Sequence, residues 1–163
     1  MLKIKQLSWF VLLLPLLTGC NNSSSPGTPV SQVTRIEFRK ASVHPKDDWE
    51  EMKRFNQEHV IYVAWNPILT NKDIAFVAKI RNDVGGNAIA ITFTKEGARK
   101  MAQFTSENIG SNLAIIVDDT LIVAPHINAV ITDRAMITGD FTEDEIMAIF
   151  MTMTATEVGP NIP

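Results

Sequence analysis

Leu113-Ala114-Ile115-Ile116-Val117-Asp118-Asp119-Thr120-Leu121-Ile122-Val123-Ala124-Pro125 is the stretch on which the fold turns. It opens with a continuous apolar run, Leu113 to Val117. Its β-branched content and the polar break after Val117 decide for strands. Two short apolar runs around Asp118-Asp119-Thr120 form a hairpin, and Pro125 ends it. Aspartate tolerates positive φ less well than glycine, so the turn is expected to be longer than two residues. A hairpin forces antiparallel pairing, and the rest of the chain is read around it.

Upstream, Thr94 caps a helix running from Lys95 to about Ile109. Ala98, Met101, Ala102, Thr105 and Ile109 share one face, and Gly110 terminates the helix. Ile89, Ile91 and Phe93 mark a strand, and Phe76, Ala78 and Ile80 mark its partner. Residues 75–94 are therefore a second hairpin around the turn cluster Asn82-Asp83-Val84-Gly85-Gly86-Asn87. Val60 to Trp65 is a strand stopped by Asn66-Pro67. Pro45 to Asn56, with Trp49, Met52 and Phe55 three apart, is expected to be a loop with a short helix. Thr34 to Arg39 alternates like a half-buried strand.

Downstream, Arg134 to Thr138 reads as one more strand. Thr142 and Glu145 make a capping box, flanked by the apolar staple Phe141 and Ile146. That helix continues to about Met153, and its Met147, Met151 and Met153 are expected in the core. Strands outnumber helices and both helices are amphipathic. The fold class is α+β: a two-layer sandwich, an antiparallel sheet with two main helices on one face.

The chain has 163 residues, a net charge of −3 and one cysteine. That excludes an intrachain disulfide and a Cys-based zinc site. The acidic balance argues against a nucleic-acid partner. The single cysteine stands at the end of a short apolar run, Leu7 to Leu17, which follows Lys3 and Lys5. The run is shorter than the about 20 apolar residues a membrane span needs. Leu17-Thr18-Gly19-Cys20 resembles the lipobox of bacterial lipoproteins, with Cys20 as the lipidated first mature residue. The expected organisation is a signal peptide over 1–19, a lipidated Cys20 with a flexible Ser/Pro/Gly tether over 20–32, a folded domain over 33–155 and a tail over 156–163. Without residues 1–19 the balance is 13 basic against 18 acidic, or −5, so the lipid and not the protein surface must hold the chain at the membrane. Asn21 lacks the Asp that resembles an inner-membrane retention signal, which favours the outer membrane in a diderm.

Little in the sequence suggests chemistry. His44, His59 and His126 share no metal-ligand spacing and read as surface or turn residues. Asp140, Glu143, Asp144 and Glu145 crowd a helix N-terminus, where acids complement the dipole. No nucleophile–base pair, metal cluster or phosphate loop emerges, so no catalytic residue, metal or cofactor is expected.

From Thr34 onward the chain resembles the head part of the first periplasmic domain of SecD, an accessory subunit of the bacterial Sec translocon. The resemblance is carried by Ile36-Glu37-Phe38-Arg39, by Pro67-Ile68-Leu69-Thr70 with Asp73-Ile74, and by Phe93-Thr94-Lys95-Glu96-Gly97-Ala98. It continues through Thr105-Ser106-Glu107-Asn108-Ile109-Gly110, the segment Leu113 to Asp118, Ala124-Pro125, and Ile137-Thr138-Gly139-Asp140-Phe141-Thr142. The matched positions Gly97, Thr105, Asn108, Gly110, Asp118, Ala124, Pro125, Gly139 and Phe141 are those of a fold signature and not of an active site. Two departures stand out: Asp118-Asp119 replaces the family's Asp-Gly turn, and Asp133-Arg134 replaces a Gly-Gly pair. SecD has six membrane-spanning helices, whereas no apolar run after Cys20 is long enough to span. The resemblance thus implies a head domain on a lipid tether, binding exported polypeptides or an envelope protein without catalysis. A structural or regulatory lipoprotein that reuses the fold is the alternative.

Overall fold

The computed structural model describes residues 27–81 and 85–156. In chain order its elements are β1 (Thr28–Pro29), β2 (Ile36–Ser42), β3 (Glu50–Lys53), β4 (Val60–Thr70), a single 3-10 turn (Asn71–Asp73), β5 (Ile74–Arg81) and β6 (Asn87–Phe93). Then come α1 (Lys95–Glu107), β7 (Asn112–Val117), β8 (Thr120–Val123), β9 (Arg134–Ile137) and α2 (Glu143–Met153). This is the expected α+β sandwich, but its strands fall into two antiparallel sheets and not one. Four strands run in the order β1-β5-β6-β9 and five in the order β3-β4-β2-β7-β8. The turn Asn71–Asp73 is the crossing between them: β4 belongs to one sheet and β5 to the other.

The division follows from side-chain alternation. Ile36 and Phe38 of β2 and Leu113, Ile115 and Val117 of β7 face the main core, together with Leu69. Val77, Ile89, Ile91 and Phe93 of the four-stranded sheet face the same core, which Met101 of α1 and Ile146, Ile149 and Met153 of α2 complete. Phe38 and Phe93 meet edge-on across the sheets with ring centroids 5.6 Å apart. The alternate residues of the five-stranded sheet make a second, smaller core: Ala41, Ile61, Val63, Ala114, Ile116 and Leu121. No helix is needed to cover it, because this sheet curls until its two outer strands meet. Arg54, just past β3, bridges Leu121 of β8, and the Phe55 N–H donates to the Leu121 carbonyl at 2.7 Å. The small side chains Ala41 and Ala114 suit the inside of such a curl. Arg39 sits there too, donating to Glu37 and to Glu50 at 3.0 Å.

Several local expectations are corrected. Glu50–Lys53 is a strand, not a helix, because it pairs with Val60–Val63, and the partner overrides a three-residue spacing. β4 does not stop at Pro67 but runs to Thr70. Pro67 is tolerated there because it sits at an irregular step opposite Arg39, beyond the last residue that β3 pairs with. Packing reaches upstream of Val33, into the segment read as tether: Thr28 and Pro29 pair with Val77 and Phe76, and Val30 and Ser31 are buried. The Asp118-Asp119 turn has only two residues, both at positive φ (43° and 64°). It is held by Arg35, whose N–H donates to Asp118 Oδ1 at 2.8 Å and whose guanidinium pairs with Asp119. Met153 is buried, but Met147 and Met151 are exposed, since they share a helix face opposite Ile146, Ile149 and Met153. Ile109 is also exposed, because α1 ends at Glu107.

The helix caps follow the sequence. The Gly97 N–H donates to Thr94 Oγ1, and Thr142 and Glu145 exchange bonds in a capping box. The β5–β6 and β7–β8 hairpins pair as read. Residues 1–26, with Cys20 and most of the tether, and residues 157–163 lie outside the described residues, as do positions 82–84 of the β5–β6 turn.

Candidate functional site

The outer strands of the five-stranded sheet are drawn together at Leu121, whereas the four-stranded sheet ends in β9. Strand β9 pairs with β6 in the register Ile137↔Ile89, Met136↔Ala90, Ala135↔Ile91 and Arg134↔Thr92. The Phe93 N–H donates to the Asp133 carbonyl at 3.0 Å. In an antiparallel ladder that phase puts residues 133, 135 and 137 in the bonded pairs. The backbone N–H and C=O groups of Arg134 and Met136 therefore point away from β6. Arg134 and Met136 are exposed, and Met136 retains 53% of its accessible surface.

Beside this edge lies a groove of about 500 Å³ between β9 and the inner face of the five-stranded sheet. Leu113, Ile115, Ile127, Ile131, Ala135 and Met136 give it an apolar lining, and Arg134 and His126 also line it. Its far wall is the segment that follows Pro125, and residues of the family signature hold that wall. The Gly110 N–H, at φ +87°, donates to the Ile127 carbonyl at 2.9 Å. The Ile127 N–H donates to the Ser111 carbonyl at 2.8 Å. Thr105 is fully buried on α1, and its Oγ1 accepts from the Ile131 N–H at 2.9 Å. The Asn108 side chain donates to the Phe104 carbonyl and closes the end of α1. The Asn112 side chain donates to the Ala124 carbonyl, and the Leu113 N–H to the Pro125 carbonyl.

The other signature residues lie elsewhere. Gly97 packs so tightly on the Asn71–Asp73 turn that a Cβ there would fall 2.1 Å from the Asp73 carbonyl oxygen. Buried Asp73 ties that turn together, accepting from the Thr70 N–H at 3.0 Å and from Lys100 Nζ at 2.7 Å. Gly139 and Phe141 lead into α2, with Phe141 stacked obliquely on Phe55 at 6.4 Å. Asp118 is a turn residue. In the acidic cluster at the α2 N-terminus, Glu145 accepts from the Thr142 N–H and from Asn56, and Glu143 pairs with Lys79. Among the described residues no group of three metal-binding side chains converges, and no helix is long and apolar enough to cross a membrane.

The edge itself is invisible to sequence reasoning, although one signal is present. In Arg134-Ala135-Met136-Ile137 an apolar Met stands in phase with an exposed Arg, an unusual choice for a solvent-facing position.

Comparison with known proteins gives this geometry its context. The family model for the SecDF P1 head subdomain matches residues 47–157. Protein translocase subunit SecD of Aquifex aeolicus is 37% identical over 79 residues, 48% of this chain and 16% of that protein. SecD of Elusimicrobium minutum is 40% identical over 76 residues, 47% of this chain and 16% of that protein. SecDF of Thermus thermophilus is 35% identical over 88 residues, 53% of this chain and 12% of that protein. The chain thus spans well under a quarter of the length of these relatives. Among solved structures, SecDF in a super-membrane-facing form superposes with a TM-score of 0.60 at 26% identity, over 78% of this chain and 19% of that one. A second structure, of a membrane component SecDF that enhances protein export, shares the fold with a TM-score of 0.58 over 78% of this chain and 63% of that one, at 24% identity.

Proposed function

This chain belongs to the SecDF P1 head subdomain family, and from that premise we propose that it is a non-catalytic, extracytoplasmic polypeptide-binding module linked to protein export. A lipid on Cys20, exposed by removal of residues 1–19, holds it at the membrane. One observation carries the reading: the open β9 edge runs beside an apolar groove. An extended chain adds to such an edge through its backbone and places alternate side chains in the groove. That suits a binder of many sequences, because the backbone is common to all of them.

The tether supports this arrangement. Six residues separate Cys20 from Gly27, a reach of at most about 25 Å over the seven steps when fully extended. They lead to β1, the opposite edge of the same sheet. Two strands lie between β1 and β9, so the edges stand about 14 Å apart. The lipid therefore pulls on one edge and leaves the other to face its ligand.

The test is a photo-crosslinker at Met136 in living cells, with one at Arg99 on the exposed face of α1 as control. Identified exported chains of many sequences, captured from position 136 and not from 99, support the proposal. A single envelope protein captured there overturns it in favour of a structural or regulatory lipoprotein that reuses the fold. Cys20→Ser is expected to abolish fatty-acid labelling and release the protein from the membrane fraction.

A further inference from the structure

A second cavity, of about 330 Å³, opens next to the groove and has the opposite character. Lys40, His44, Lys46, Trp49, Asn112 and His126 line it, and no acidic side chain does. Among the described residues neither Lys40 nor Lys46 forms an ion pair. The acids nearest in sequence are committed or turned elsewhere: Glu50 accepts from Arg39 at 3.0 Å, while Asp47 and Asp48 are exposed and outside the lining. Ser42 fixes the loop that carries His44, accepting from the His44 N–H at 3.1 Å and donating to its carbonyl at 2.9 Å. A domain with five more acidic than basic residues after position 19 has thus gathered two unpaired ammonium groups and two imidazoles around one polar hollow. Such a hollow attracts anions and disfavours cations.

His126 lines both this cavity and the apolar groove. Because the two hollows share His126, the flank of a chain lying in the groove has the cavity beside it. We infer that the cavity takes the carboxylates of acidic residues flanking the apolar segment held in the groove, so that the preferred ligands are apolar stretches with an acidic flank. The inference rests on the groove reading above. The Asn112 side-chain amide lines the same cavity and carries a second N–H besides the one given to the Ala124 carbonyl, a donor of the kind a carboxylate accepts from.

The test uses the full-length chain in detergent and fluorescence anisotropy with two labelled peptides. Both carry the same alternating Val/Ser segment; one ends in three Asp, the other in three Asn. At low ionic strength the Asp peptide is expected to bind about fivefold more tightly, the scale of two partly exposed charge pairs, with the advantage shrinking as salt is added. The double variant Lys40→Gln/Lys46→Gln should erase that difference and leave the Asn peptide unaffected. Met136→Asp should weaken both peptides. Equal affinity for the two peptides, with both still weakened by Met136→Asp, overturns the inference and leaves the groove reading intact. An advantage that survives the lysine changes overturns it as well. Failure of both peptides to bind removes the groove reading and this inference with it. Binding of anionic-lipid vesicles that depends on the two lysines, without discrimination between peptides, reassigns the cavity to a lipid phosphate.

Discussion

The two sheets of this molecule handle the same problem in opposite ways. A strand at the edge of a sheet presents unpaired backbone groups, and proteins usually hide them. The five-stranded sheet draws its outer strands together, Arg54 just past β3 bridging Leu121 of β8, around a small core and a half-buried Arg39. The four-stranded sheet leaves β9 open beside an apolar groove. Closure serves stability, and in the proposed function openness serves recognition. The comparison therefore predicts that changes in the first sheet alter folding, whereas changes at β9 alter binding.

The largest effect belongs to the joint between the sheets. The Asn71–Asp73 turn carries the chain from one sheet to the other, and α1 is clamped on it at Gly97. A Cβ there meets the Asp73 backbone, which cannot step aside as a flexible side chain would. Gly97→Val is expected to cost at least about 3 kcal/mol, measured by urea unfolding, and to lower the transition midpoint of the whole domain. A variant that unfolds like the wild type would mean that the two sheets are not locked together through this turn.

Inside the curl, Arg39 retains 11% side-chain exposure and serves both Glu37 and Glu50. Arg39→Ala strands Glu37 as a nearly buried, unpaired charge and is expected to cost about 2–3 kcal/mol. Replacing both partners, Glu37→Leu with Arg39→Met, should recover most of that loss, because the curl needs packing there more than it needs the ion pair. A double variant as unstable as the single one would show that the charges are what hold the sheet closed.

How much of this contrast the sequence discloses depends on how local the cause is. The two helices, their caps at Thr94 and Thr142, and the hairpins β5–β6 and β7–β8 are written in neighbouring residues and are read correctly there. The strand Glu50–Lys53 is missed because only β4 makes it a strand. The Met147 and Met151 positions are misread because a helix of mixed faces does not say which face meets the sheet. The closure at Leu121 joins residues far apart in sequence, and no pattern announces it. The groove is hidden for the same reason: Ile115, Ile131 and Met136 come from a strand, a loop and an edge that only the fold assembles. The signature residues Thr105, Asn108 and Gly110 are legible as structural, but their service to the groove wall is not.

A smaller effect on folding is expected at the turn of the closed sheet. Asp118 holds φ at +43° and accepts the Arg35 N–H. Asp118→Ala removes the acceptor and puts a less tolerant residue in the left-handed region, a loss of about 1.5 kcal/mol by thermal or urea unfolding. Asp118→Asn, which keeps both the tolerance and the acceptor, should be close to neutral.

The smallest effect on stability and the sharpest on recognition meet at Met136. Its N–H points away from β6, so proline there removes no bond of the existing ladder. The residue before it, Ala135, is already extended, as a residue preceding proline must be. Met136→Pro should therefore cost no more than about 1 kcal/mol. By contrast, Ala135→Pro deletes a bond to β6 and should cost about 3 kcal/mol. In polypeptide binding the expected order is wild type, then Met136→Ala, then Met136→Pro. Alanine keeps the donor and loses only side-chain contact, whereas proline removes the donor that strand addition requires. If alanine and proline weaken binding equally, the groove holds its ligand by side-chain burial alone. The open edge would then be incidental, and the contrast between the two sheets would reduce to one of stability.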